Sequence, residues 1–587
     1  MEQTLVKFLE KLFKPYFIEA GLNPDSPILV VPASKPEFGD YQVNGLMQAC
    51  KKASKNPREV ATSIIDKFKD QDRKNFSKLE IAGPGFINLV FSDEFLSNWV
   101  NQITEANHFG LVNYSKQKVV VDLSSPNLSK EMHVGHLRST IIGDVIARAL
   151  AYTGNSVILQ NHVGDWGTQF GMLIAYLEET HALDGDKEFK INDLETFYRS
   201  AKTCFDQDEA FANKARSYVV VLQNWQEHGD LGQQVYHHWQ KFCQLSLSHC
   251  QEIYDQLNVK LTMHNVVGES FYNDKLKNIV QTLAQKNLLV DSDNAKCVFF
   301  AEDELDGKEQ TPFIIQKSDG GFLYATTDLA AIDYRVHNLH ADRIIYVVDA
   351  RQSLHFKQLF IVAKKAGFAS DNTVLEHSAF GTMMNEDGRP FKTREGGVVK
   401  LIDLINEAKT RAYQVVSSRN PQWSKQDITE LSNILAIASI KYADLSKNRL
   451  SDYIFSFDKM LSFEGNTAPY LLYAYTRIQS ILKKVDADLD LNKLEITTTH
   501  PNEHKLALQN AKFAEALLEV NKESSPHYLC QYLYNLAGIF MQFYENCPIL
   551  NIDDEKVKLS RLALVSQSAK ILQNGLDILG IPVVTKM

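Results

Sequence analysis

A strand, a helix and a second strand follow one another within about forty residues in the first third of the chain, and that order leaves few folds open. Val119, Val120, Val121, Asp122, Leu123 and Ser124 form a short apolar run of the kind buried in a parallel sheet. Helical patterning then covers residues 136–152 and stops at Gly154, and a second strand pattern covers residues 156–160. A comparable set recurs far downstream: helical residues 328–336, strand-like residues 343–348 and helical residues 354–366. The intervening residues 172–310 are polar and mostly helical in pattern. They read as an insertion that separates two halves of one nucleotide-binding sheet.

Between the first strand and its helix lies Ser125-Pro126-Asn127-Leu128-Ser129-Lys130-Glu131-Met132-His133-Val134-Gly135-His136. A strand end that opens onto a helix N-terminus is where α/β proteins bind phosphate, because the helix offers unpaired N–H groups and the positive end of its dipole. Gly135 carries no side chain, so a base or sugar can lie against the backbone. His133 and His136 are three apart and can point to one side. There they can donate hydrogen bonds to phosphate oxygens as negative charge grows on departing pyrophosphate. This turn predicts activation of a carboxylate substrate by ATP. A zinc site is the weaker reading, because no third ligand is near.

Composition narrows the setting. At 587 residues the chain is too long for one core, and its 44% hydrophobic and 23% charged residues are ordinary for globular domains. No apolar run reaches transmembrane length. At the N-terminus Lys7, Glu10 and Lys11 interrupt an apolar face of Leu5, Phe8, Leu9 and Leu12, which argues against a secretory leader and predicts a cytoplasmic protein. The seven cysteines are scattered without a Cys-x-x-Cys pair, so neither disulfides nor a structural zinc are expected. A net charge of −10 argues only weakly against nucleic acid, since a basic footprint can be local, as at Lys51, Lys52, Lys55 and Arg58.

His133-Val134-Gly135-His136 resembles the HIGH signature of class I aminoacyl-tRNA synthetases. The neighbouring Ser124-Ser125-Pro126-Asn127 and His136-Leu137-Arg138-Ser139-Thr140 resemble arginyl-tRNA synthetases in particular. So do Gly164-Asp165-Trp166-Gly167-Thr168-Gln169, Lys441-Tyr442-Ala443-Asp444-Leu445-Ser446 and Glu464-Gly465-Asn466-Thr467-Ala468-Pro469-Tyr470. The resemblance implies a Rossmann-like α/β catalytic domain with a parallel sheet and a helical insertion, an N-terminal α+β module and a C-terminal all-α anticodon-binding bundle. On that reading residues 1–115 recognise the tRNA D-loop. Residues 116–171 and 311–405 are the catalytic halves around the insertion, 406–455 contact the tRNA stem, and 456–587 bind the anticodon.

The resemblance also implies site residues. Tyr324 and Asp328, four apart at a helix start, and Glu269 match the family's guanidinium pocket, while Asn127 and Gln352 match groups that hold the α-amino and α-carboxylate of arginine. A planar guanidinium with five donors needs carboxylates, and lysine lacks the fork to use them. The second family signature, KMSK, is absent. Its region runs from Gly381 to Gly397, where Lys392 and Arg394 can face the phosphates, and Lys130 is the lysine that members lacking KMSK are thought to use. Phe38, Tyr41 and Asn44 are expected at the D-loop, and Tyr470, Tyr473, Arg477, Tyr544 and Met587 at the anticodon. The expected partners are arginine, ATP with Mg²⁺, and an arginine-accepting tRNA bound by a monomer, with tRNA needed for activation. Two other readings stay open: a related ligase for another substrate, and a catalytically inactive RNA-binding relative.

Overall fold

The structure is a computed structural model that describes residues 4–105, 107–111, 116–180, 191–305, 311–318, 320–391, 399–486 and 489–587. An N-terminal module opens with the helix Leu5–Glu19, which buries Leu5, Leu9, Phe13, Tyr16 and Phe17 at helical spacing. It packs by a four-stranded antiparallel sheet in the spatial order Val30–Pro32, Tyr41–Val43, Phe86–Phe91, Phe76–Ala82.

The catalytic sheet has four strands: β1 Lys118–Asp122, β2 Ser156–Gln160, β3 Arg343–Tyr346 and β4 Val374–His377. Their order is β4-β3-β1-β2 and every pairing is parallel. The two halves separated in sequence therefore meet where β1 lies against β3, with Val119 opposite Arg343 and Asp122 opposite Tyr346. The chain direction of the crossovers reverses at this point, which opens a crevice at the carboxyl edge of the sheet. Helices α1 (Gly135–Tyr152), α2 (Gly229–Gln256), α3 (Tyr324–His337) and α4 (Ser353–Ala366) surround it. The expected α/β class is thus observed. The segment expected to be mostly helical, 172–310, differs at its end. An antiparallel sheet of Val290–Ser292, Ala295–Val298 and Phe313–Gln316 closes it. Strands of three or four residues hold too few positions to display a period of two.

Charged residues tie these layers together. Arg335, fully buried on α3, donates to Asp122 on β1 at 2.7 Å and to Gln160 on β2 at 2.6 Å. A buried guanidinium is tolerable only with such partners. Midway along α1, Asp144 accepts from Arg148 at 2.8 Å and from the Lys260 N–H at 2.9 Å. Lys441, from the helix Lys425–Leu445, donates to the carbonyls of Leu257 and Gly580 at 2.9 and 3.1 Å, and burial holds its amine down to about 8.

The chain after Met460 is helical, with helices Ala468–Leu482, Pro501–Ala511, Phe513–Glu523, His527–Asn546 and Glu555–Ile578. The polar stretch 486–504 reads in sequence as a surface loop. Instead its described part straps this domain to the N-terminal module, with Asn101 and Ile496 exchanging hydrogen bonds of 2.9 and 2.8 Å. His504 extends the same seam to Asp40 at 3.1 Å and Asp93 at 2.9 Å; burial opposes its protonation, but these carboxylates raise its pKa overall. All seven cysteines are free. Among the described residues no helix is long and apolar enough to cross a membrane, and no three His, Cys, Asp or Glu side chains are grouped to hold a metal.

Candidate active site

Past the end of β1 the backbone turns sharply. Ser124 and Ser125 adopt φ of 67° and 49°, a left-handed conformation that costs about 1 kcal/mol or more at each non-glycine residue. Hydrogen bonds hold the turn: Ser124 N–H donates to Ser139 Oγ at 2.9 Å and Ser125 N–H to Asn161 Oδ1 at 2.9 Å. The Tyr254 hydroxyl on α2 bonds Ser124 Oγ at 2.8 Å and accepts from Asn161 Nδ2 at 3.1 Å. The turn delivers Pro126 and Asn127 to the crevice, where Asn127 pairs with Gly164. Asn127 Oδ1 accepts from Ser129 N–H at 3.0 Å and Ser129 Oγ at 2.6 Å.

Further along, Lys130 is exposed, with its ammonium 4.8 Å above the Tyr198 ring. The His133 N–H donates to Nδ1 of His136 at 3.0 Å, and Nδ1 of His133 accepts from the Gly135 N–H at 3.0 Å. Both rings therefore use Nδ1 as an acceptor, and a neutral ring must then carry its proton on Nε2. Burial, and next the adjacent His133, lower the His136 pKa to about 3. His136 is thus neutral at ordinary pH and acts as an uncharged donor. Segment 399–401 is laced onto this turn: Val134 N–H donates to Val399 O and Leu401 N–H to Met132 O, both at 3.0 Å. Beside them the Lys400 ammonium pairs with the buried Glu131 at 2.8 Å. Lys392 and Arg394 lie outside the described residues.

The second half of the crevice is acidic. Glu269 N–H donates to Val163 O at 3.1 Å, which sets Glu269 beside the segment that pairs with Asn127. Gly268 makes this approach possible, since a Cβ there would lie 2.1 Å from Asp165 Oδ2. Asp165 in turn accepts from Ser270 N–H at 2.9 Å and Ser270 Oγ at 2.6 Å. Burial, then the neighbouring Asp328 and Asp165, push the Glu269 carboxyl up to about 8. Tyr324 stands 66% exposed at the start of α3. Asp328, one turn along, accepts from His355 Nε2 at 2.7 Å and lies 3.8 Å from His162 Nε2. Gln352 is exposed at the N-cap of α4, one turn before His355. Asn127, Glu269, Tyr324 and Asp328 are brought to one crevice, and Gln352 stands at its edge on the helix that supplies His355. His162 and His355 escaped the sequence reading, and Asp165 entered it only as part of the motif Gly164-Asp165-Trp166-Gly167-Thr168-Gln169. The signal for His355 was its place three residues after Gln352, on the same helical face.

The outlying candidates divide. Arg477 lies 5.2 Å from the ring centres of both Tyr473 and Tyr544 and donates to Tyr473 Oη at 2.7 Å. Tyr473 and Met587 line one cavity of ≈ 900 Å³ with Arg411, Arg419 and Phe463, none of them singled out from sequence. Tyr470 packs on Tyr534 at 5.6 Å instead. Phe38 is half-buried with the Lys35 ammonium 5.9 Å from its ring, and Asn44 is half-buried. Tyr41 must be reassigned. It is fully buried, and its hydroxyl donates to Glu515 at 2.8 Å across the seam between modules, so its ring cannot stack on a base. Alternation on a half-buried strand could not distinguish the two roles.

Three spans of the chain match known families. Residues 100–457 match the family model for the catalytic domain of class I (R) tRNA synthetases, 471–587 a DALR anticodon binding domain, and 1–91 an arginyl tRNA synthetase N terminal domain. The chain is 49% identical to the arginine–tRNA ligase of a Marinomonas species over 586 residues, covering all of both chains. It is 52% identical to that of Chromobacterium violaceum over 574 residues, 97% of this chain and 98% of the other. The chain belongs to the arginyl-tRNA synthetase family. Among solved structures, the arginyl-tRNA synthetase of Plasmodium falciparum superposes with a TM-score of 0.84 at 31% identity, covering 99% of each chain. That of Thermus thermophilus gives 0.79 at 25% identity over the whole of both. The turn and the acidic crevice fall inside the synthetase catalytic span. Tyr473, Arg477, Tyr544 and Met587 fall inside the anticodon binding span.

Proposed function

We propose that the acidic crevice receives the arginine side chain and the histidine turn receives ATP, in an arginine–tRNA ligase reaction run in two steps. The observation that carries this reading is the convergence of Glu269 and Asp328 beside Asn127. Among the described residues, two carboxylates from distant parts of the chain stand together without a basic side chain bonded to Glu269. Bringing like charges together is unfavourable unless a cation joins them, and a guanidinium offers five donors to do so. Tyr324 adds an aromatic face, Asn127 and Gln352 hold the α-amino and α-carboxylate groups, and a lysine ammonium lacks the planar fork that pairs with a carboxylate through two parallel bonds.

In the first step the arginine carboxylate attacks the α-phosphorus of ATP, and pyrophosphate departs. The Nε2 donors of His133 and His136 meet the charge that develops on the phosphates, and the positive end of the α1 dipole at Gly135 adds to them. Lys130, Lys392 and Arg394 supply cations, and Mg²⁺ carried by the nucleotide neutralises the triphosphate. In the second step a terminal ribose hydroxyl of the tRNA attacks the adenylate carbonyl and AMP leaves. No protein nucleophile is required, so catalysis is positioning and charge stabilisation. The tRNA is gripped at its anticodon by Tyr470, Tyr473, Arg477, Tyr544 and Met587, and at the D-loop by Phe38 and Asn44. One chain supplies every group, which favours a monomer, working in the cytoplasm with other translation enzymes and needing tRNA before arginine is activated.

Arginine-dependent ATP–pyrophosphate exchange, with and without the cognate tRNA, tests the reading. Exchange supported by another amino acid would overturn the pocket assignment. No exchange even with tRNA present would overturn the catalytic one. Lys130→Ala and Lys392→Ala are each expected to slow activation by about tenfold, ~1.4 kcal/mol. If neither does, the cation assignment fails.

A further inference from the structure

Asp328 does not face the crevice with both oxygens free. Its Oδ2 accepts from His355 Nε2 at 2.7 Å, and its Oδ1 lies 3.8 Å from His162 Nε2. The three side chains are largely enclosed, with 20% of Asp328, 26% of His355 and 13% of His162 exposed. His355 itself is fixed by position. It rides on α4, one turn after Gln352, with its ring 5.6 Å from Phe313 and 5.5 Å from Phe356. An imidazole in such a setting donates from Nε2 whether it is neutral or protonated, provided the neutral ring carries its proton there.

We propose that His355 is a positioning residue for amino-acid specificity: it locks the Asp328 carboxylate and occupies Oδ2, so that the guanidinium is offered Oδ1 of Asp328 together with the carboxylate of Glu269. This rests on the assignment of Asp328 and Glu269 to the guanidinium pocket. The recognition fork is then split between two residues, rather than formed by one bidentate carboxylate. A planar ligand whose nitrogens are held apart matches two acceptors at a fixed spacing, whereas an ammonium presents its three donors from one atom and matches that spacing less well. An Asp328 freed from His355 can rotate and lose the edge it presents. His162 Nε2 lies 3.8 Å from Oδ1, too far for a hydrogen bond that would occupy it.

The test uses the full-length enzyme with tRNA and steady-state aminoacylation. His355→Leu removes the donor. Losing a hydrogen bond to a charged group predicts a rise in KM for arginine of about tenfold to about a hundredfold, with KM for ATP within about twofold. His355→Gln can place an amide N–H near the Nε2 position and is expected to recover most of the loss. In an Asp328→Asn background, His355→Leu should add little further, because the two changes remove one shared interaction. Equal rises in both KM values with no recovery by His355→Gln would show a merely structural role and overturn the proposal. So would full additivity with Asp328→Asn. If Asp328→Asn itself left KM for arginine unchanged, the pocket assignment would be the failure instead.

Discussion

Arginine binding should expel a proton. The Glu269 carboxyl is pushed up to about 8 by burial and by the carboxylates of Asp328 and Asp165, so it is mostly protonated in the empty site at neutral pH. A guanidinium favours the ionised form, and it stays charged throughout because its own pKa lies above about 12. The sign follows: affinity rises with pH and levels off above about 8. At pH 7 only about one-tenth of Glu269 is ionised, so the apparent Kd is about tenfold weaker than the plateau, ~1.4 kcal/mol. At pH 6 the deficit is about a hundredfold, a slope of one decade per pH unit. Isothermal titration calorimetry of arginine binding, in buffers of different ionisation enthalpy, reads the proton directly. About 0.9 proton should be released per arginine at pH 7 and about 0.5 at pH 8. Glu269→Gln should abolish the release and weaken plateau binding by about 2 kcal/mol or more. Absence of proton release in the wild-type enzyme, or the same pH slope in the variant, would refute the reasoning.

Tyr41→Phe removes the side-chain hydrogen bond to the Glu515 carboxylate, leaving backbone donors that include the Val6 N–H at 3.0 Å. The seam between the N-terminal module and the C-terminal helices should weaken by about 1–3 kcal/mol, read from the first transition in urea unfolding. An unchanged transition would contradict the structural role. Arg477→Ala deletes the cation held between Tyr473 and Tyr544. Its tRNA affinity should fall, and the slope of log Kd against log salt should lessen by about one; an unaltered slope would place the arginine outside the phosphate contacts.

The parallel sheet, the strand-to-helix turn at His133 and the helical C-terminal half were legible in sequence because each rests on local pattern. Apolar runs mark buried strands, 3–4 spacing marks helices, and a strand opening onto a helix marks an anion site. The three-stranded sheet after Val290 was not legible, since its strands are too short to show a period. The seam was not legible either, since Asn101 and Ile496 are polar and apolar residues of no special spacing that become partners only when two modules dock.

The histidine turn shows the same division at the site. Residue types and order alone placed His133, Gly135 and His136 on a turn between a strand and a helix N-terminus, the geometry from which ATP binding is proposed. That the rings act as Nε2 donors, with His136 kept neutral, was decided by backbone N–H groups folded onto each Nδ1. Sequence also named Asp328 and Glu269, but not the pressure between them or the hold of His355. Those depend on distances between residues far apart in the chain, and charge interactions at a few ångströms are set only when the sheet brings its two halves together.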